Sequence, residues 1–338
     1  MTLDEKIIHR AVTRPYLDFK VAEEVTRLSE GVRRDVLHRF RRKGAVVGAS
    51  GGVDSSVVLS LCVRALGKER VLAVLMPERE SNPESVELAQ AWADELGVPT
   101  VREDLTPILQ AVGCYRLRDE AVRKTFPAYG DGWKAKITLP GDLLEHDSLN
   151  VFSLIVVAPD GTEQRGRVPT SDLREVIAAT NWKQRTRMAT LYHHAERRNY
   201  AVMGTANKDE HDLGFFVKFG DGGADLCPIR HLFKTQVYQL AEALGVPQTI
   251  RERTPTSDTY SAGSSQEEFF FRIPFSLLDP IWALWEDGVP LPEIASAVKL
   301  TVEQVRRVTD DLARKQRTTE YLRAAPVVYG QSDSGGES

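Results

Sequence analysis

Cysteine is scarce in this chain. Cys62, Cys114 and Cys227 are the three among 338 residues, too few and too scattered for a disulfide framework or a zinc site, and they suit a reducing, cytoplasmic setting. Long apolar runs are absent as well. Stretches such as residues 154–158 fall far short of the roughly 20 apolar residues that a spanning helix needs. The N-terminal residues carry Asp4, Glu5 and Lys6 with no long apolar run behind them, so no signal peptide is expected. Neither sign of charge prevails. The 44 Lys and Arg against 48 Asp and Glu leave a net charge of −4, which argues against a broad nucleic-acid surface. No internal repeat is visible. Residues 326–338 end in a Gly-, Ser- and Asp-rich tail that is expected to be disordered.

The most informative stretch that is present is Gly48-Ala49-Ser50-Gly51-Gly52-Val53-Asp54-Ser55-Ser56. Apolar residues 45–47 lead into it and a run with helical spacing, 57–66, follows, which spells strand, glycine turn and helix. Glycines let backbone N–H groups crowd around an anion, and the helix N-terminus adds its positive dipole end. Ser50, Ser55 and Ser56 offer hydroxyl donors, and Asp54 offers an oxygen ligand of the kind Mg²⁺ shares with phosphates. The turn lacks the lysine of a Walker A loop. It resembles instead the Ser-Gly-Gly-x-Asp-Ser loop of ATP pyrophosphatases, which grip the β,γ-pyrophosphate of ATP and leave the α-phosphate open to attack.

Around this loop, strands and helices alternate. Helical spacing covers 18–43, strands are expected at 45–49, 71–76, 100–104 and 200–204, and helices at 83–96, 172–196 and 228–244. This rhythm predicts an α/β fold with a doubly wound, mostly parallel sheet flanked by helices, whose ligands sit at the carboxyl ends of the strands. A single domain over 18–325 is expected. Residues 127–170 interrupt the rhythm with alternating runs at 134–139, 151–158 and 162–168 and a Pro159-Asp160-Gly161 turn, which reads as a small β-rich insertion. A polar loop follows at 254–265, and a helical segment ends the chain. Cys62 lies on an apolar helix face and reads as packing. His193-His194 has no metal partner at helical spacing.

Several further motifs stand in order: Asn-x-Lys-x-Arg-x-Arg-Met at 181–188, Gly-Thr-x-x-x-x-Glu at 204–210, Lys-Phe-Gly-Asp-Gly-Gly-Ala-Asp at 218–225, Lys-Thr-Gln at 234–236 and Pro-Thr-x-Asp at 255–258. With the glycine loop, they resemble the ammonia-dependent NAD synthetase family of the ATP pyrophosphatase superfamily, over residues 18–126 and 172–325. The resemblance implies an adenine-nucleotide α-hydrolase-like fold. It implies that Asp54 and Glu210 hold Mg²⁺ and that Asp54 and Lys234 carry the chemistry. Gly48, Ser50, Gly51, Gly52, Asp54, Ser55, Thr205, Lys234 and Thr256 would then bind ATP, and Arg185, Lys218 and Asp225 the carboxylate-bearing substrate. That substrate would be deamido-NAD, the nitrogen would come from ammonia, free or supplied by a separate glutaminase, and the protein would be a homodimer.

The implied chemistry stands on its own terms. A carboxylate resists ammonia because it is charged and lacks a leaving group. Attack on the α-phosphate makes an acyl-adenylate, pyrophosphate leaves, and ammonia then displaces AMP. Positioning and charge neutralisation supply most of the rate, and no nucleophilic cysteine or histidine is needed. Two stretches depart from the family pattern. The usual Gly-Gln-x-Asp-Glu and Gly-x-x-Tyr segment is replaced by residues 263–275, and a late His-Lys-Arg by Tyr321-Leu322-Arg323. A ligase acting on a different carboxylate is therefore the alternative. An RNA thiolation enzyme would need an RNA-binding surface and paired cysteines, and neither is visible. Residues 291–312, with Arg306 and Arg307, could also be read as a helix-turn-helix, although Asp310-Asp311 disfavours DNA.

Overall fold

The computed structural model describes residues 17, 19–139, 142–145, 152–255, 260–263 and 265–329. Helix α1 (Val21–Arg34) buries Val25, Leu28 and Val32, one stripe at helical spacing. The apolar pattern runs on to residue 43, but the helix widens into a π-helical turn, Asp35–Arg39. Arg41, at φ 54°, then turns the chain out of it. The main sheet follows: β1 (Ala45–Gly48), α2 (Val53–Leu66), β2 (Val71–Leu75), α3 (Pro83–Glu95) and β3 (Thr100–Arg102). The chain continues through α4 (Thr106–Ala111) and α5 (Cys114–Thr125) into an antiparallel meander, β4 (Lys134–Thr138), β5 (Ser153–Val157) and β6 (Glu163–Gly166). Gly161 makes the β5–β6 turn at φ +86°, where a side chain would be strained.

Helices α6 (Thr170–Thr180) and α7 (Trp182–Arg198) lead to β7 (Ala201–Met203). The pattern over 172–196 predicts one helix, and the structure breaks it at Asn181. After β7 come α8 (Lys208–Leu213), α9 (Lys234–Ala243), α10 (Gln248–Arg251), a π-helical turn Glu267–Phe271, and then α11 (Phe275–Glu286), α12 (Leu291–Val298), α13 (Val302–Thr318) and α14 (Glu320–Arg323). The helix expected at 228–244 starts only at Lys234. Two buried carboxylates fix that start: Asp209 Oδ2 accepts from the Lys234 N–H, and Asp279 Oδ2 accepts from the N–H of Thr235 at 2.8 Å and from its hydroxyl at 2.7 Å.

The main sheet is wholly parallel in the order β3-β2-β1-β7. Ala45 pairs with both Val71 and Ala201, so β1 is central. The chain winds outward from β1 to β3 and then returns to the far side of β1. That reversal is a topological switch point, where open parallel sheets leave a crevice at the strand carboxyl ends. One core packs α2 against this sheet through Val57, Val58 and Leu61. A second joins the β4–β6 meander to the C-terminal helices around Leu154, Phe271 and Trp282. Phe269, Phe270 and Phe271 are all buried there. Cys62 is buried too, and burial pushes its thiol up to about 12.

Candidate active site

The glycine loop closes on itself at the carboxyl end of β1. Ser50 Oγ and Ser55 Oγ lie 3.0 Å apart, and the Ser55 and Ser56 hydroxyls donate to Gly52 O at 3.0 and 2.9 Å. Gly51 stands at φ +75°, and a Cβ there would lie 2.3 Å from Ser85 O at the start of α3. Only glycine fits this approach. Gly52 is the N-cap of α2 and makes no side-chain bond. The first amides of α2 are therefore left for a ligand.

Asp54, in the first turn of α2, is held from two directions. Its Oδ1 accepts from Asn207 Nδ2 at 3.0 Å, and its Oδ2 accepts from Lys234 Nζ. Asn207 is also the N-cap of α8. Its Oδ1 accepts from the Glu210 N–H at 3.0 Å, and its own N–H donates to Glu210 Oε2 at 3.3 Å. This reciprocal capping box links the two carboxylates. Glu210 Oε1 accepts from Gln266 Nε2 at 3.0 Å. Burial, then the neighbouring Asp54 charge, push the Glu210 carboxyl up to about 8. Burial alone would lower the Lys234 ammonium, but Asp54 and Glu210 outweigh it and raise it above the ordinary lysine range. Lys234 therefore stays charged, with no exposed surface.

These groups line one cavity of about 430 Å³. Gly48, Ser50, Gly52, Asp54, Ser55, Thr205, Glu210 and Lys234 all reach it, while Gly51 is buried against Ser85. Thr256 lies outside the described residues. The three residues expected to meet the second substrate are elsewhere. Arg185 is exposed, with its Nε 3.3 Å from Lys218 O. Lys218 Nζ donates to Tyr321 O at 2.8 Å and Ala324 O at 2.9 Å. Asp225 accepts from the Tyr192 hydroxyl at 3.0 Å and the Val202 N–H at 2.8 Å.

The structure brings in other residues that the sequence reading left without a role. Arg187 lines the cavity in place of Arg185, together with Asp221. Burial raises the Asp221 carboxyl to about 6, and the Arg187 charge partly offsets it. Arg253, also in the wall, donates to Ser85 Oγ at 2.7 Å. Of these additions, Asn207 had a readable signal, because Asn-x-x-Glu is the spacing of a capping box. Residues 291–312 do form two helices joined by a short turn, α12 and α13. Arg306 pairs with Glu303 on its own helix, and Arg307 Nη2 donates to Leu144 O at 2.9 Å.

No cluster of three or more His, Cys, Asp or Glu side chains that could hold a metal occurs among the described residues. Two carboxylates with the phosphates of a nucleotide nonetheless suit Mg²⁺, which takes few protein ligands. The donor set fits. Asp54 and Glu210 present hard oxygens on the cavity, and the buried Gln266 Oε1 beside Glu210 has no hydrogen-bond partner among the described residues. No described helix is long and apolar enough to cross a membrane.

Comparison with known proteins agrees with this geometry. The family model for NAD synthase matches residues 24–127 and 160–326. A protein from Mesorhizobium japonicum named NH(3)-dependent NAD(+) synthetase is 47% identical over 305 residues, which cover 90% of this chain and 95% of that one. A Rhizobium rhizogenes protein of the same name is 45% identical and covers 95% of this chain and 96% of its own. Among solved structures, the NMN synthetase from Francisella tularensis superposes with a TM-score of 0.63 at 20% identity, over 93% of this chain and all of that one. The NH3-dependent NAD synthetase from Campylobacter jejuni gives a TM-score of 0.59, also at 20% identity, over 92% and 99%. At that identity the two structures speak for the fold alone. The family match and the curated relatives extend over nearly the whole chain, glycine loop and capping box included: the chain belongs to the NAD synthase family.

Proposed function

We propose that this protein makes NAD from deamido-NAD, ATP and ammonia through an acyl-adenylate, with release of AMP and pyrophosphate. The observation that carries the proposal is the meeting of Asp54, Lys234 and Glu210 around Asn207, at the foot of a serine–glycine loop that lacks a Walker lysine. ATP enters with its β- and γ-phosphates on the loop, where the free amides of α2 and the Ser50 hydroxyl donate to them. Lys234, held charged by its ion pair with Asp54, neutralises the charge that builds on pyrophosphate as it departs. Its position is set by the Asp209 and Asp279 carboxylates at the start of α9. Mg²⁺, when bound by Asp54 and Glu210 with the phosphates, adds Lewis-acid stabilisation of the same leaving group. Gln266 keeps Glu210 turned toward the cavity.

A cavity of about 430 Å³ has room for one nucleotide-sized ligand. The dinucleotide must therefore extend beyond it. Arg187 is placed to meet the end that enters, and Arg185, Lys218 and Asp225 lie outside as candidate contacts for the rest. We further propose that residues 18–325 act as one catalytic unit, in a homodimer, in the cytoplasm.

The test is to supply deamido-NAD, ATP, magnesium and ammonium and to identify all products. NAD, AMP and pyrophosphate in equal amounts are expected, and Asp54→Asn should lower the rate by about 100-fold or more, since it removes a leaving-group contact made in the transition state. ADP and phosphate as products would overturn the reaction type. Activity only with another carboxylate would overturn the substrate.

A further inference from the structure

The family model does not cover residues 128–159, yet this stretch helps to build the cavity wall. β4 is tied to the segment after Tyr260 through its backbone. The Ala135 N–H donates to Ser261 Oγ at 2.9 Å, the Ala262 N–H to Ala135 O at 3.2 Å, and the Leu139 N–H to Phe269 O at 3.4 Å. The segment so held carries Gln266, which is bonded to Glu210, as well as Phe269 and Phe270. Phe215, whose N–H donates to Glu210 O at 2.7 Å, packs on both rings with centroids 5.7 and 5.0 Å apart. An aromatic wall thus adjoins the carboxylate end of the site. Ile137 of β4 and Phe152, just before β5, complete this wall in the same cavity as Asp54 and Lys234.

We propose that the three-stranded sheet is a water shield for the activated acyl group, and that Phe152 is a positioning residue within it. The proposal rests on the amidation chemistry above. An acyl-adenylate is open to two nucleophiles. When ammonia attacks the acyl carbon, the bond to the AMP oxygen breaks, AMP leaves with the electron pair, a proton goes to solvent, and the amide forms. When water attacks the same carbon, the same bond breaks and the carboxylate is regenerated. ATP and water then become AMP and pyrophosphate, and no amide forms. Water greatly outnumbers ammonia in solution, so the site must discriminate by exclusion. The cavity carries polar groups elsewhere, but on this wall Phe152, Ile137, Phe269 and Phe270 offer water no side-chain hydrogen-bond partner, so an acyl carbon turned toward it is approached by fewer bound waters.

The readout is the ratio of AMP formed to amide formed in Phe152→Ala and Phe152→Leu, with ammonium saturating. ATP–pyrophosphate exchange checks that adenylation survives. The wild type should give a ratio near one. Phe152→Ala should raise it several-fold while exchange persists, and Phe152→Leu, which restores most of the apolar bulk, should return it toward one. A purely structural role would lower both products together and leave the ratio alone. A folded Phe152→Ala variant with an unchanged ratio overturns the shield. If the alanine variant does not fold, Phe152→Val keeps a strand-favouring side chain and is read in the same way. A wild type that forms no AMP with deamido-NAD counts against the substrate reading alone. The ratio is then taken with the carboxylate that does support exchange, and the same two outcomes decide.

Discussion

Lys183 Nζ lies 3.0 Å from Glu78 Oε1, and both side chains are fully buried. Glu80 Oε2 accepts from the same ammonium at 2.7 Å and from Arg118 Nη1 at 2.7 Å, and the Tyr115 hydroxyl donates to Glu78 Oε2 at 2.7 Å. Burial alone would raise the Glu80 carboxyl, but Arg118 and Lys183 outweigh it and hold it down at about 2. This cluster fastens the connection after β2 to the first turn of α7. Pro77 and Ser81 on one side, and Asn181 and Gln184 on the other, line the cavity. The network thus fixes two stretches of the cavity wall relative to one another.

Lys183→Met should expose the cost of that arrangement. It leaves Glu78 buried without its cation, and breaking one partner of a buried pair costs about 3–5 kcal/mol. A fall of that size in the free energy of urea unfolding is expected. The KM for ATP should rise more than kcat falls, because the loop and not the reacting groups is disturbed. Unchanged stability in Lys183→Met would show that water replaces the lost charge.

The sequence made the glycine loop readable because its whole mechanism is local. Nine consecutive residues hold the turn, the hydroxyls, the carboxylate and the helix start. The Asn207–Glu210 cap was readable for the same reason, through its spacing. What escaped depends on contacts across the chain. Glu78 and Lys183 are 105 residues apart and declare nothing separately. The start of α9 is fixed by Asp209 and Asp279, so a pattern running from 228 could not locate it. Arg185 and Arg187 lie two positions apart, about 200° around a helix. Which of them faces the cavity depends on how α7 packs on the sheet, and that placement puts Arg187 in its lining.

The arginine assignment has a direct test. Arg187→Ala should lower kcat/KM by about ten- to a hundred-fold, the cost of one charged hydrogen-bond donor at roughly 1.5–3 kcal/mol. Arg185→Ala should cost less within a single subunit, because among the described residues its guanidinium hydrogen-bonds only the Lys218 carbonyl. A larger loss for Arg185→Ala would place the dinucleotide on the outer face, and titrating that variant with protein concentration would tell whether a second copy completes the site.

Glu210 makes stability depend on pH when magnesium is absent. Its folded value, about 8, lies above the ordinary value of 4.5. A raised carboxyl contributes stability that is fully present below the unfolded value and is lost as pH rises through the folded one. Metal-free protein should therefore be less stable at pH 9 than at pH 6. Glu210→Gln, which cannot ionise, should lose less over that interval. It should keep part of the slope, because burial also raises Asp221 to about 6 and Asp279 to about 7. Magnesium with ATP should offset the wild-type loss, since the metal takes the carboxylate form. Equal losses in wild type and Glu210→Gln would mean that the Glu210 carboxyl is already ionised at pH 6.

The nitrogen donor follows from what the cavity can supply. Releasing ammonia from glutamine calls for a nucleophile activated by a neighbouring base, usually a cysteine. Cys62 and Cys114 are buried, and burial raises both thiols. Cys227 accepts from Arg230 Nη2 at 2.8 Å, yet burial still raises its thiol. None of the three lines the cavity. A thiol so raised is a poor nucleophile at neutral pH. The 338-residue chain should therefore form NAD with ammonium and fail with glutamine alone. The rate at fixed total ammonium should climb with pH, because only the unprotonated amine attacks. Replacing all three cysteines with serine or alanine should leave the ammonium-dependent rate within a few-fold of wild type in any variant that folds. Full activity with glutamine and no second protein would overturn this reading, and loss of that activity in the cysteine-free chain would identify the missing nucleophile.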